Sequence, residues 1–370
     1  MNDIKVPKRI ENSIINALQG GVVPRVGLGY IAVGREQEIK ALLKDIEIIQ
    51  EGGSTFRFLT GDYGSGKTFL LQTIKEHVMA KGFVVADADL SPERSLVGTG
   101  NKKKGLATYR ELMKNLSIKT SPEGGALALI LDNWIDSMWM EAAKSISGGV
   151  SGLNLEKMVT DSILTTIMDM QVMVHGYDFS NMLIIYWKAY KAGDIETKAK
   201  ALRWLRGEYQ LKRDAKEDLG INNIINDGDW FDYIKIWSEF FKKINYNGFL
   251  IMIDEMINIY RYRNSATRYN NYETMLMMYN DALQGKAKSL GIIMGGTPKA
   301  LEDPVKGVFS YEALKSRLSA GRFTGHESVN LMAPIIRIQP LTKSELVILM
   351  EKIRDIHAAV SYTHLTLPTN

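Results

Sequence analysis

The chain has 370 residues, and 46 Lys and Arg against 42 Asp and Glu leave a net charge of +4. Hydrophobic residues at 45% and charged residues at 24% are ordinary for a soluble globular protein with a sizeable core. The absence of cysteine excludes a disulfide scaffold, a thiolate zinc site and a cysteine nucleophile, and fits a cytoplasmic protein.

The N-terminus, Met1 to Arg9, is charged and lacks the apolar core of a signal peptide. A short helix is expected over 10–18, followed by a glycine-rich passage. An amphipathic helix over 35–50 then carries Ile39, Leu42, Leu43, Ile46 and Ile49 at helical spacing. The run 56–60 reads as a strand leading into Gly61-Asp62-Tyr63-Gly64-Ser65-Gly66-Lys67-Thr68, with a helix over 69–81 and a second strand over 83–87 behind it. Strand, glycine-rich loop, helix, strand is the context a nucleotide-binding loop requires.

From 96 to 227 the period turns helical, with pieces over 109–116, 126–138, 155–173 and 181–192. This stretch reads as an insertion between the second and third strands. A helix over 230–244 precedes the continuous apolar run 248–253, which suits a central parallel strand and ends in Asp254-Glu255. A helix over 271–290, a strand over 292–297, a fifth strand over 335–338 and a helix over 343–358 complete the pattern. No run approaches the roughly 18 to 20 apolar residues of a membrane helix, so no membrane association is expected.

The fold class expected is therefore α/β, a P-loop NTPase with a five-stranded parallel sheet flanked by helices and interrupted by a large helical insertion. The expected divisions are 1–95 for N-terminal helices and the first part of the ATPase core, 96–228 for the insertion, and 229–341 for the rest of the core. Residues 342–360 begin a C-terminal helical lid that this chain does not complete. Residues 361–370 (SYTHLTLPTN) read as a non-native tail, the translated adapter read-through found at the ends of assembled genes.

Polyphosphate needs many donors converging on one spot. Gly61, Gly64 and Gly66 let successive backbone N–H groups point inward, and the following helix adds its positive dipole end. Lys67 is expected on the β- and γ-phosphates of ATP and the Thr68 hydroxyl on Mg2+. Asp62, Tyr63 and Ser65 fill the free positions of the loop, and Phe69 follows it. A phosphate loop requires a second magnesium ligand and a group that activates water. Asp254, at a strand tip, suits the first role and Glu255 the second. Thr297, at the tip of the next apolar strand, is placed to hold the attacking water or the γ-phosphate if the two strands are neighbours; otherwise it is a plain strand-end threonine.

This arrangement resembles the AAA+ and initiator-ATPase superfamily. In that superfamily a Val-Gly-Arg-Glu stretch before the first strand lies against adenine, which implies a base-binding role for Val33 and Gly34. Closer still, 61–68, 253–255, 271–273, 280–285, 296–298 and 309–318 together resemble the BREX-system ATP-binding domain family of bacterial phage-defence ATPases, over about 11–351. The resemblance implies ATP and Mg2+ as cofactors, hydrolysis, and a role in defence with double-stranded DNA and other BREX-system proteins as partners, in a homo-oligomer. An arginine acting on the nucleotide across a subunit interface would be Arg317 or Arg322.

An ATPase that moves a partner and a nucleotide switch share this site and the sequence does not separate them; a third reading, a small-molecule kinase, is disfavoured by Glu255 next to Asp254. Arg261-Tyr262-Arg263-Asn264 and Arg268-Tyr269 interleave bases with aromatics and read as a solvated loop, with a weaker nucleic-acid reading beside it; Lys102-Lys103-Lys104 reads as a short exposed charge run. The five histidines have no metal-ligand spacing.

Overall fold

The computed structural model describes residues 6–24, 26–98, 100, 102–145, 152–319 and 333–362. Five strands, β1 (Ser54–Thr60), β2 (Val84–Asp89), β3 (Phe249–Asp254), β4 (Leu290–Gly296) and β5 (Ile335–Arg337), form one parallel sheet in the order β2-β3-β4-β1-β5. With helices on both faces, the fold is α/β. The register aligns the carboxyl ends: Thr60 faces Gly296 across β1 and β4, Ile253 faces Met294 across β3 and β4, and Asp89 faces Asp254 across β2 and β3. Strand β2 runs two residues beyond the expected 83–87, so Asp89 rather than Asp87 stands at its tip.

Because side chains alternate along a strand, the sheet has two distinct faces. Leu59, Val85, Leu250, Met252, Ile293 and Ile336 bury one face against the helices Glu36–Gln50 and Lys67–Ala80, which contribute Leu42, Ile46, Ile49, Leu70, Leu71, Ile74 and Val78. The same parity puts Arg57, Asp87, Asp89 and Asp254 on this side. Arg57 meets Asp45 of the first helix in a buried two-pronged ion pair, Nε and Nη2 each donating at 2.6 Å.

Phe56, Phe58, Val84, Ala86, Phe249, Ile251, Leu290 and Ile292 line the opposite face. The segment between β2 and β3 covers it. Its helices Lys104–Lys114, Leu127–Ser145, Gly152–Met168, Gly176–Ala192, Ile195–Leu205 and Lys212–Leu219, and then Trp230–Lys243, share one continuous core with the strands. A chain of aromatic rings crosses from this segment into the sheet: Phe179 edge-on to Trp237 at 4.7 Å, Trp237 stacked on Phe241 at 5.2 Å, and Phe241 edge-on to Phe249 of β3 at 5.1 Å.

The helix Lys343–Tyr362 runs through Ser361 and Tyr362, past the 358 at which periodicity places its end. With Lys8–Gln19 it closes a small third core of Ile14, Ile15, Ile31 and Ile356, bordered by Phe69, Leu349 and Ile353. Among the described residues no helix is long and apolar enough to cross a membrane.

Candidate functional site

The loop 61–68 leaves the carboxyl end of β1 and enters the helix Lys67–Ala80 with Gly64 at φ 77° and Gly66 at φ 92°. Both are conformations that glycine adopts without steric cost. Lys67 Nζ donates to the Gly61 carbonyl at 2.8 Å and the Asp62 carbonyl at 3.0 Å, folding over the loop. Ser65 is buried and its Oγ has no hydrogen-bond partner; Thr60 Oγ1, at the loop's entrance, has none either. Asp62, Tyr63 and Thr68 are exposed or half-buried. An unsatisfied buried hydroxyl in a glycine-rich loop at the N-terminus of a helix fits a ligand rich in acceptor oxygens.

One strand separates this loop from the acidic pair. Asp254 is buried at the tip of β3, and its Oδ1 accepts the Glu255 N–H at 2.7 Å. Burial holds the Asp254 carboxyl above its ordinary range; Glu255 raises it further, while its bond from the Glu255 N–H and the charge of Lys67 oppose the rise. The carboxylate reaches over β4, where a Cβ on Gly295 would stand 2.2 Å from Asp254 Oδ1. Glycine is thus required there by the close approach rather than by its φ. Glu255 leaves the strand at φ 63° and is exposed. Asp89 lies across from Asp254, its carboxyl raised by desolvation, then by Asp254 and Asp87. Sequence alone does not single out Asp89, because the apolar run ends before it.

Among the described residues no group of three or more His, Asp or Glu side chains forms a metal site by itself. One buried carboxylate and one hydroxyl are what magnesium asks of a protein when phosphates and water supply its other ligands. Thr297 sits beyond β4 with its Oγ1 accepting the Ala300 N–H at 3.3 Å as the cap of the helix Pro298–Glu302. The residue is buried, and capping occupies one lone pair of its hydroxyl.

A cavity of about 380 Å³ opens beside the loop, lined by Gly64, Ser65, Gly66 and Phe69 and walled by Leu18, Ile31, Val33, Leu349 and Ile353. It is mostly apolar, as a planar base requires. Gly34 stands elsewhere, on the neighbouring polar cavity, pressed against Glu345.

A family model described as BREX system ATP-binding protein BrxC/D matches residues 6–370. The chain belongs to this family. No curated protein matches it.

ATP binding in the BrxC/D family gives significance to the arginine of the Val-Gly-Arg-Glu stretch, to which the sequence assigns no role. Arg35 is buried, and its Nη2 donates at 2.7 Å both to the Ser65 carbonyl and to the Gln339 carbonyl beyond β5. It ties the glycine-rich loop to the segment that leads into the helix Lys343–Tyr362. Arg337, at the end of β5, forks onto Glu302 at 2.6 and 2.9 Å beside Thr60 and Gly61. Arg317 is exposed, and its Nη1 donates to the Ala313 carbonyl of its own helix at 2.8 Å rather than to the loop. Arg322 lies outside the described residues.

Proposed function

We propose that this BrxC/D-family chain is a magnesium-dependent ATPase that couples ATP binding and hydrolysis to double-stranded DNA or to a complex of BREX-system proteins in phage defence. The observation that carries the reading is the meeting of two independent features at aligned strand ends. These are a glycine-rich loop with a buried, unpartnered Ser65 hydroxyl and, one strand away, a buried Asp254 followed by an exposed Glu255.

In this reading the P-loop backbone from Gly61 to Thr68 cradles the phosphates, and Lys67 exchanges the Gly61 and Asp62 carbonyls for phosphate oxygens. Thr68 and Asp254 hold Mg2+, which when bound neutralises charge on the β- and γ-phosphates. Glu255 accepts a proton from water aimed at the γ-phosphate, and Thr297 orients that water. Phe69, Val33 and the apolar wall exclude solvent from the base. A trans-acting Arg317 or Arg322 requires a homo-oligomer, as in AAA+-like assemblies.

Phosphate release should be measured with and without duplex DNA for wild type, Lys67→Ala and Glu255→Gln. Both variants should lose about 100-fold or more in turnover, while Glu255→Gln retains ATP binding. Wild-type turnover surviving in both variants overturns the site. Transfer of the γ-phosphate to an acceptor other than water identifies a kinase. Tight ATP binding with no turnover under any condition leaves a nucleotide switch.

A further inference from the structure

The two basic runs, separate in sequence, meet in the fold. Lys104 Nζ donates to the Tyr262 hydroxyl at 3.0 Å and lies 4.8 Å from the centre of its ring, across 158 residues of chain. The segments that carry them leave the carboxyl ends of β2 and β3, and further bonds lace them together. Asn258 Nδ2 donates to the Leu90 carbonyl at 2.8 Å, and Asn271 Oδ1 accepts the Leu96 N–H at 2.9 Å. Buried Arg268 fixes the second run from beneath, Nη1 donating to the Tyr262 carbonyl at 2.6 Å and the Arg263 carbonyl at 3.2 Å. Asn264 caps the helix that follows.

Lys102, Lys103, Arg261 and Arg263 are left exposed on this braced backbone, and among the described residues none of them pairs with a carboxylate. Several less exposed cations are paired instead: Lys198 meets Asp132 at 2.8 Å, Lys235 meets Asp281 at 2.8 Å, and Arg337 meets Glu302 at 2.6 Å. Four unpaired cations on an ordered surface suit a polyanion. The aromatic between them, Tyr262, is taken up by Lys104 and is not free to stack on a splayed base. Single-strand binding relies on such rings, whereas a duplex backbone needs only cations.

We infer that Lys102, Lys103, Arg261 and Arg263 form a binding surface for the phosphate backbone of double-stranded DNA, without sequence preference, on the loops that follow β2 and the acidic strand β3. The inference rests on the DNA-coupled reading above and gives that coupling a location. Only the short helix Ile257–Tyr260 separates Arg261 from the acidic pair, so a duplex held here bears on the element that carries Glu255.

The test is binding of a labelled mixed-sequence duplex to the whole chain over a range of salt concentrations. Wild type is compared with Arg261→Ala/Arg263→Ala, with Lys102→Ala/Lys103→Ala, and with a control of equal charge change, Lys212→Ala/Arg213→Ala on the insertion. Thermal melts of every variant establish that each is folded. Each patch variant should weaken binding roughly tenfold at about 0.1 M salt and flatten the slope of log K against log salt by about 1 for each phosphate no longer neutralised. The control should do neither. Equal weakening by the control reduces the attraction to net charge and overturns the surface, as does unchanged binding in both patch variants. Tighter binding of a single strand than of the duplex overturns it too. Wild type that hydrolyses ATP yet binds no duplex removes DNA coupling together with this surface and leaves the ATPase standing.

Discussion

On one face of the sheet two helices, Glu36–Gln50 and Lys67–Ala80, cover the strands with aliphatic side chains, and charge is admitted beneath them: the Arg57–Asp45 pair, Lys75 against Asp87, and Asp254. On the other face the helices between β2 and β3 pack down as a deep aromatic and aliphatic core. The thin face carries the candidate chemistry and the thick face carries the bulk of the burial. A site that must accept and release a highly charged ligand needs donors and carboxylates that can change partners. The strand presenting Asp254 must still not move while they do. Anchoring β3 through Phe249 and Phe241 to Trp237 separates the two demands.

The largest expected effect tests the thick face. Trp237→Ala should cost about 3–5 kcal/mol, read by denaturant unfolding, and should melt insertion and sheet in one transition. An early, separate transition of the insertion breaks the single-core description. Next, Asp45→Ala should cost about 3 kcal/mol by leaving the Arg57 guanidinium buried without its carboxylate, whereas Asp45→Leu with Arg57→Met should recover most of that stability. Full stability of the single variant would show that the partners Arg57 keeps, among them the Ala333 carbonyl that accepts its Nη1 at 2.6 Å, suffice.

Arg35→Ala should weaken ATP binding about tenfold, near 1.4 kcal/mol, by calorimetric titration. Arg35→Lys should not restore it, because a lysine does not reproduce the flat fork that reaches Ser65 and Gln339 together. Recovery by lysine would mean that only the charge matters.

The smallest effect concerns Asp254. Its carboxyl is raised in the folded chain. Stability from this group is therefore fully present below the unfolded carboxylate pKa of about 3.9 and lost as pH rises through the folded value. At neutral pH, without metal, Asp254→Asn should raise stability by about 1 kcal/mol or less while abolishing Mg2+-dependent turnover. The gain should vanish in acid. A variant less stable than wild type at neutral pH would show that the ionised carboxylate is satisfied by its surroundings.

What is legible in the sequence is local. Gly61 to Thr68 must be glycine-rich because the backbone itself is expected to do the binding, and an unbroken apolar run ending in Asp254-Glu255 announces a central strand tip. What Arg35 ties together is not legible, since its partners lie 30 and 304 residues away. Nor is the meeting of Lys104 with Tyr262. The helices Ile195–Leu205 and Lys212–Leu219 escape a search by apolar period because their faces are largely charged. The cap on the first, with Asp194 accepting the Thr197 N–H at 3.0 Å, is the available clue. Asp89 is hidden because its strand runs two residues past 87, where the expected strand ends.

The cavity beside the glycine-rich loop takes its walls from both ends of the described chain: Leu18 and Ile31 from the start, Leu349 and Ile353 from the helix Lys343–Tyr362. During synthesis the glycine loop and the acidic strand emerge long before that last wall. A nascent chain, or one clipped by a protease ahead of Lys343, presents an open trough where the chain with that helix docked presents a pocket. Occupancy of the pocket thereby reports that the helix Lys343–Tyr362 has been made and has docked.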